Sequence, residues 1–192
     1  MECVILVGGR GKRLGKLTKT KPKPMIDIGG IPFLDHLIFY IAKFNISKII
    51  LLGQYKIEQI KKRYDKKAIF NIPIEVISEK KAKDTAGCLF EIKKKIKNNF
   101  LLLNGDSFLN INLDNFIKNF NSKKFLMKMS LIKNVNYLSN KKLSLINLNK
   151  KNIVYLDKKK SKLMNAGVYL INKKVLKLIK NQKLSLEIEK NL

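Results

Sequence analysis

Four short apolar runs constrain this chain more than any other feature: Cys3–Val7, Lys48–Gly53, Ile72–Ile77 and Phe100–Leu103. Each is nearly continuous rather than alternating, which suits strands buried on both faces of a parallel sheet. Between them lie amphipathic stretches at Pro32–Phe44, Ile57–Lys66 and Thr85–Lys97. Pro32 suits the first turn of a helix, where a missing N–H costs nothing. Leu89, Ile92 and Ile96 recur at one helical face. The order βαβαβαβ predicts an α/β fold, a doubly wound, mostly parallel sheet with helices on both sides in three α/β/α layers. With 192 residues the chain reads as a single domain, 1–192.

The second half has a different texture. Leu113–Phe120 predicts a helix. Phe125–Ile132, Leu143–Leu148, Ile153–Asp157 and Ala166–Ile171 predict strands in a mixed or antiparallel extension of the sheet. The lysines at 158–160 read as a solvated turn, and Val175–Ile179 and Leu184–Ile188 begin helices. No apolar run approaches the roughly 18 to 20 residues of a membrane span. The opening apolar stretch is too short for a secretory signal. Cys3 and Cys88 form no metal-binding pair, and with His36 alone they suggest no zinc site; two buried thiols fit a cytoplasmic protein.

The net charge of +27 invites a nucleic-acid partner. Of the 41 basic residues, however, only Arg10, Arg13 and Arg63 are arginine, the residue that grips phosphates and bases with a planar fork. The lysines are spread along the chain, beside 25 Ile and 20 Asn. Lys, Ile and Asn share A/T-rich codons, so biased base composition explains the charge without a specific nucleic-acid partner.

After the first strand the chain reads V-G-G-R-G-K-R-L, then L-T-K-T-K-P-K-P-M. Gly8, Gly9 and Gly11 let backbone N–H groups approach a phosphate closely. A Walker A loop is excluded, because Gly11-Lys12 is followed by Arg13. A dinucleotide loop is excluded too, because its third glycine is replaced by Leu14. Arg13 can clamp a polyphosphate, and Lys23 stands between Pro22 and Pro24 on a segment expected to be stiff and extended. The plain alternative is a glycine turn beside a basic surface loop.

On Gly8-Gly9-Arg10-Gly11-Lys12-Arg13-Leu14, Leu17-Thr18 and Pro22-Lys23-Pro24-Met25, joined by Asn104-Gly105-Asp106, the chain resembles the sugar-1-phosphate nucleotidyltransferases. Within them it is similar to the short bacterial heptose and mannose 1-phosphate guanylyltransferases. The resemblance implies a nucleotide-diphospho-sugar transferase (GT-A-like) fold. It implies a reaction of a sugar 1-phosphate with an NTP, giving an NDP-sugar and pyrophosphate for cell-surface glycans, with Mg²⁺ as cofactor and sometimes a homodimer. The sugar phosphate is already an anion, so the site needs cations, backbone donors and a metal more than a general base.

The resemblance assigns roles residue by residue. Arg13, Lys23 and Asp106 are catalytic, with Asp106 on the metal. Leu6, Gly8, Gly9, Gly11, Glu79, Thr85 and Gly105 bind the nucleotide. Gly87, Asn104, Asp157, Lys158, Asn165 and Gly167 bind the sugar phosphate. Glu79 falls where a side chain meets the base; a carboxylate there accepts from guanine and leans toward GTP. Taken without the resemblance, Asp106 reads as a turn cap, Glu79 as a solvated glutamate and 157–162 as a simple turn.

Three departures stand out. Lys12 replaces a usual Thr. Ala82-Lys83-Asp84 replaces Pro-Leu-Gly, which puts a charged side chain where backbone meets the nucleotide. A second metal-binding aspartate, expected near the C-terminus, has no counterpart, so the chain is expected to lack its last segment. The alternative to an enzyme is an impaired or non-catalytic nucleotide-sugar-binding homologue.

Overall fold

The computed structural model describes residues 1–79, 84–118, 120–133, 144–151, 154–161 and 163–179. The first half runs β1 (Glu2–Leu6), α1 (Leu17–Thr20), β2 (Asp27–Ile28), β3 (Ile31–Pro32), α2 (Phe33–Ile41), β4 (Lys48–Gly53), α3 (Ile57–Tyr64), β5 (Ala68–Ile69), β6 (Ile72–Ser78), α4 (Asp84–Gly87) and β7 (Phe100–Asn104). The second half adds α5 (Leu113–Ile117), β8 (Met127–Lys133), β9 (Ser144–Leu148), β10 (Val154–Ser161), β11 (Leu163–Ile171) and α6 (Val175–Leu178).

Seven strands form one sheet in the order β5-β6-β4-β1-β7-β11-β8. β1 lies at its centre, parallel to β4 and β7, and β4 is parallel to β6. β11 runs antiparallel between β7 and β8. The near-continuous apolar runs are therefore the parallel strands, covered on both faces. Cys3, Ile5, Ile49, Leu51 and Leu101 pack toward α2 and α3, while Val4, Ile50, Leu52 and Leu102 pack on the opposite side against Leu89 and Ile92. Each fully buried Ile or Leu contributes roughly 1.5 to 3 kcal/mol of transfer free energy. Burial pushes the Cys3 thiol far up from its ordinary range, so it stays a protonated core residue.

One buried charge is structural. Asp35 in α2 accepts from the Tyr64 hydroxyl at 2.7 Å and pairs with Arg63. Burial first, and then Asp35, push the Tyr64 hydroxyl up, so it remains a donor. At the surface Glu75 bridges Lys48, at 2.6 Å, and Lys95.

Four expectations need correction. Thr85–Lys97 is not one helix: a single α-turn, Asp84–Gly87, passes into a 3₁₀ segment, Cys88–Ile92, and then turns. Gly87 weakens a helix interior. Leu89, Ile92 and Ile96 are buried all the same, because i, i+3 spacing serves a 3₁₀ turn as well. β9 and β10 do not extend the main sheet; they form a separate two-stranded ladder. Residues 158–160 lie inside β10 rather than in a turn. The helix from Leu113 stops at Ile117. The helix expected at Leu184–Ile188 lies outside the described residues.

Candidate active site

Because β1, β4, β6 and β7 are parallel, their C-terminal ends share one edge of the sheet, where an open α/β fold places its ligands. A cleft of about 440 Å³ opens there, lined among others by Leu6, Gly8, Lys23, Glu79, Thr85 and Asp106. Gly9 and Asn104 line it too.

The exit from β1 is fixed by contacts too close for side chains. A Cβ on Gly53 would stand 2.5 Å from the Gly8 nitrogen, and one on Gly105 would stand 2.5 Å from the Leu6 oxygen. Val7 N–H donates to Leu52 O at 2.8 Å, and Gly105 N–H donates to Leu6 O at 2.9 Å. Farther along, Gly11 adopts φ +58° against Thr18, whose buried hydroxyl donates to Gly11 O and Gly15 O. The Tyr55 hydroxyl donates to Thr18 O at 2.8 Å and ties this loop to the start of α3.

Lys23 and Asp106 are 83 residues apart in the chain and meet in the cleft, Nζ to Oδ2 at 2.8 Å. Lys23 does not sit on an extended segment as expected. Pro22 is extended, but Lys23–Met25 forms a 3₁₀ turn closed by Met25 N–H to Pro22 O. Proline's fixed φ suits a helical turn as well as an extended strand, so stiffness is retained. The segment after Asp106 is fastened by Tyr40: its hydroxyl donates to Ile111 O and accepts from Ile111 N–H at 2.9 Å. Burial, opposed by the bond to Ile111, pushes the Tyr40 hydroxyl up and keeps it protonated.

The remaining site candidates are spread more widely. Asn165 and Gly167 come from β11, beside the end of β7; a Cβ on Gly167 would stand 3.0 Å from Asn104 Nδ2. Asn165 Oδ1 accepts from Gly167 N–H at 3.0 Å, and Asn165 also contacts the Tyr169 hydroxyl. Gly87 is buried in α4. Arg13 is exposed on a 3₁₀ turn and does not line the cleft. Asp157 and Lys158 lie within β10 rather than at its end. Asp84 lines the cleft with φ +60°, the left-handed backbone that glycine adopts most easily. Cys88, read from the sequence only as a buried thiol, also lines the cleft, as do Leu52 and Gln54, which sequence reasoning did not single out. The available signal was their position at the end of an apolar strand, next to Gly53.

Among the described residues no three His, Cys, Asp or Glu side chains gather as a ready-made metal cage. Asp106 offers hard carboxylate oxygens, Oδ2 on Lys23 and Oδ1 on the Ser107 hydroxyl at 3.2 Å. One such carboxylate fits Mg²⁺ shared with substrate phosphates and water.

A family model described as nucleotidyl transferase matches residues 2–192. This chain belongs to the nucleotidyl transferase family. The chain is 41% identical over 113 residues to a D-glycero-alpha-D-manno-heptose 1-phosphate guanylyltransferase of Campylobacter jejuni, a match spanning 59% of this chain and 51% of that protein. It is 32% identical over 193 residues to the bifunctional protein GlmU of Methanocaldococcus jannaschii, spanning 100% of this chain and 45% of that protein. The chain thus spans about half the length of these curated relatives. The structure of HddC from Yersinia pseudotuberculosis complexed with GMP-PN superposes with a TM-score of 0.79 at 27% identity, covering 98% of this chain and 84% of that one. A nucleotidyl transferase fold thus agrees with the predicted doubly wound sheet.

Proposed function

We propose that this nucleotidyl transferase joins a sugar 1-phosphate to an NTP, with GTP favoured, and releases pyrophosphate. A sugar-phosphate oxygen attacks the α-phosphorus in line. A new P–O bond forms as the bond from the α-phosphorus to the bridging oxygen breaks, and the electron pair leaves with pyrophosphate. No proton has to be removed from the nucleophile.

The observation that carries this reading is the Lys23–Asp106 pair at the strand ends, 2.8 Å apart in an open cleft. Lys23 Nζ would hold the α-phosphate and the sugar phosphate together, stabilising charge as it builds. Backbone N–H groups of the Gly8–Gly11 loop would cradle the β- and γ-phosphates, and Arg13, which does not line the cleft, is assigned to them on resemblance alone. Asp106 would hold Mg²⁺, which when bound neutralises charge between the two substrates. Asn165 and Gly167 would face the sugar, with Asn104 between sugar and nucleotide. Gly87, Asp157 and Lys158 are assigned to the sugar phosphate on resemblance alone. GTP draws support from the acceptor-only carboxylate of Glu79, from the named guanylyltransferase relative and from the GMP-PN complex of HddC. The product would serve cell-surface glycan synthesis in the cytoplasm.

A second reading, nucleotide-sugar binding without turnover, is favoured by one observation: Asp84 places a carboxylate in the cleft that must also accept polyphosphate. Pyrophosphate release with Mg²⁺, each of four NTPs and a panel of hexose and heptose 1-phosphates separates the two. Turnover with one pair, lowered by about 10²- to 10³-fold in Lys23→Ala, is the expected result. Nucleotide binding with no release from any pair favours the binding-only reading.

A further inference from the structure

The cleft has a charged end, at Lys23 and Asp106, and a second end where β4 and β6 finish. The second end holds a polar side chain with no role so far. Gln54 follows Gly53 at the end of β4 and lines the same cleft as Glu79. The two residues are neighbours: a Cβ on Gly8 would stand 3.1 Å from both the Gln54 backbone nitrogen and Glu79 Oε1. Both are held by backbone pairing. Gly53 lies opposite Ser78 in the β4–β6 register, Glu79 N–H donates to Gly53 O at 2.8 Å, and Gln54 O accepts from Ile57 N–H at 3.2 Å.

An ionised carboxylate only accepts hydrogen bonds, whereas a primary amide can donate as well. Side by side they offer two acceptors and then a donor. Guanine is the one base of the four whose pairing edge carries two adjacent donors, N1–H and the 2-amino group, followed by the O6 acceptor. Adenine, cytosine and uracil each turn at least one lone pair toward a carboxylate that cannot donate. We propose that Gln54 is a base-reading residue: its Nε2 donates to guanine O6 while Glu79 accepts from N1–H and the 2-amino group. The assignment rests on the nucleotide-transfer reading above and deepens it.

Equilibrium binding to the full chain of GTP, of ITP (no 2-amino group) and of 2-aminopurine riboside triphosphate (no O6 and no N1–H, and so a weaker ligand from the outset) tests it. Gln54→Leu is expected to weaken GTP and ITP by about tenfold and to leave the 2-aminopurine nucleotide within about twofold. Gln54→Glu has nearly the same shape and places an acceptor against O6, so it is expected to weaken GTP more than Gln54→Leu does. That second variant keeps the test decisive if the leucine variant fails to fold. Equal weakening of all three nucleotides, or no change in any, overturns the role of Gln54. Wild-type preference for UTP or CTP overturns it while leaving nucleotidyl transfer intact. Wild-type binding of no NTP at all overturns both.

Discussion

Lys23 and Asp106 meet with side chains 32% and 42% exposed, whereas Arg63 meets an Asp35 side chain that is only 7% exposed. Both are lysine- or arginine-to-aspartate pairs between distant segments. At Asp35 the two oxygens are committed, one to Arg63 and one to Tyr64, and burial makes either partner costly to lose. At Asp106 water reaches both groups, so the pair contributes little to stability. A contact that stabilises little can be exchanged for a phosphate or a cation at little cost. Strength in one place holds the fold, and weakness in the other leaves the cleft ready for ligand.

Four variants can break or sharpen that contrast. The largest effect is expected for Lys23→Ala, with pyrophosphate release reduced by about 10²- to 10³-fold and a melting temperature within about 2 °C of wild type. A matching loss of stability would place Lys23 with the structural pair. Next, Arg63→Met should cost about 3 kcal/mol in urea unfolding, because it leaves a buried carboxylate with one hydroxyl partner. Activity per folded molecule should be unchanged.

A smaller effect is expected from Asp84→Gly, which suits the left-handed backbone and removes a negative charge from the cleft. Nucleotide affinity should rise by about fivefold at low salt, roughly 1 kcal/mol, and the gain should shrink in 0.5 M salt. No dependence on salt would mean that Asp84 does not face the phosphates.

The smallest belongs to Glu75→Gln. Burial pushes the Glu75 carboxyl up, but its bonds to Lys48 and Lys95 outweigh that and hold it below its ordinary value of 4.5. A depressed folded value means the stabilisation is fully present above about pH 4.5 and is lost as pH falls through the folded value. The variant should therefore melt about 1 °C lower at pH 7, and the gap should close as pH falls through the folded value.

The parallel half of the fold was legible because its strands are buried on both faces, and burial on both faces writes itself as uninterrupted Ile, Leu and Val. The β11 extension was legible for the same reason at Val168–Ile171. The strands β9 and β10 were legible too, at Leu143–Leu148 and Ile153–Asp157, but their pairing with each other rather than with the main sheet was not, because an apolar run marks a strand without naming its partner. Gly8, Gly9 and Lys23 could be singled out in the sequence because close backbone approach to a phosphate demands glycine and charge neutralisation demands a placed lysine, and the structure brings the three to one cleft. Gly53 and Gln54 were hidden: the need for glycine at 53 comes from the backbone of Gly8, remote in sequence and adjacent only once β1 and β4 pair. The Lys23 turn was misread because proline's geometry serves two conformations.

Tyr40 has a consequence for measurement. A single phenol oxygen both receives the Ile111 amide proton and caps the Ile111 carbonyl, just beyond Asp106. That amide proton should exchange with deuterated water slowly for a residue in a loop. Its exchange rate is then a local clock for the opening of the segment that follows Asp106, readable in the intact chain without substrate, and Tyr40→Phe should set it running fast while the neighbouring sheet amides keep their pace.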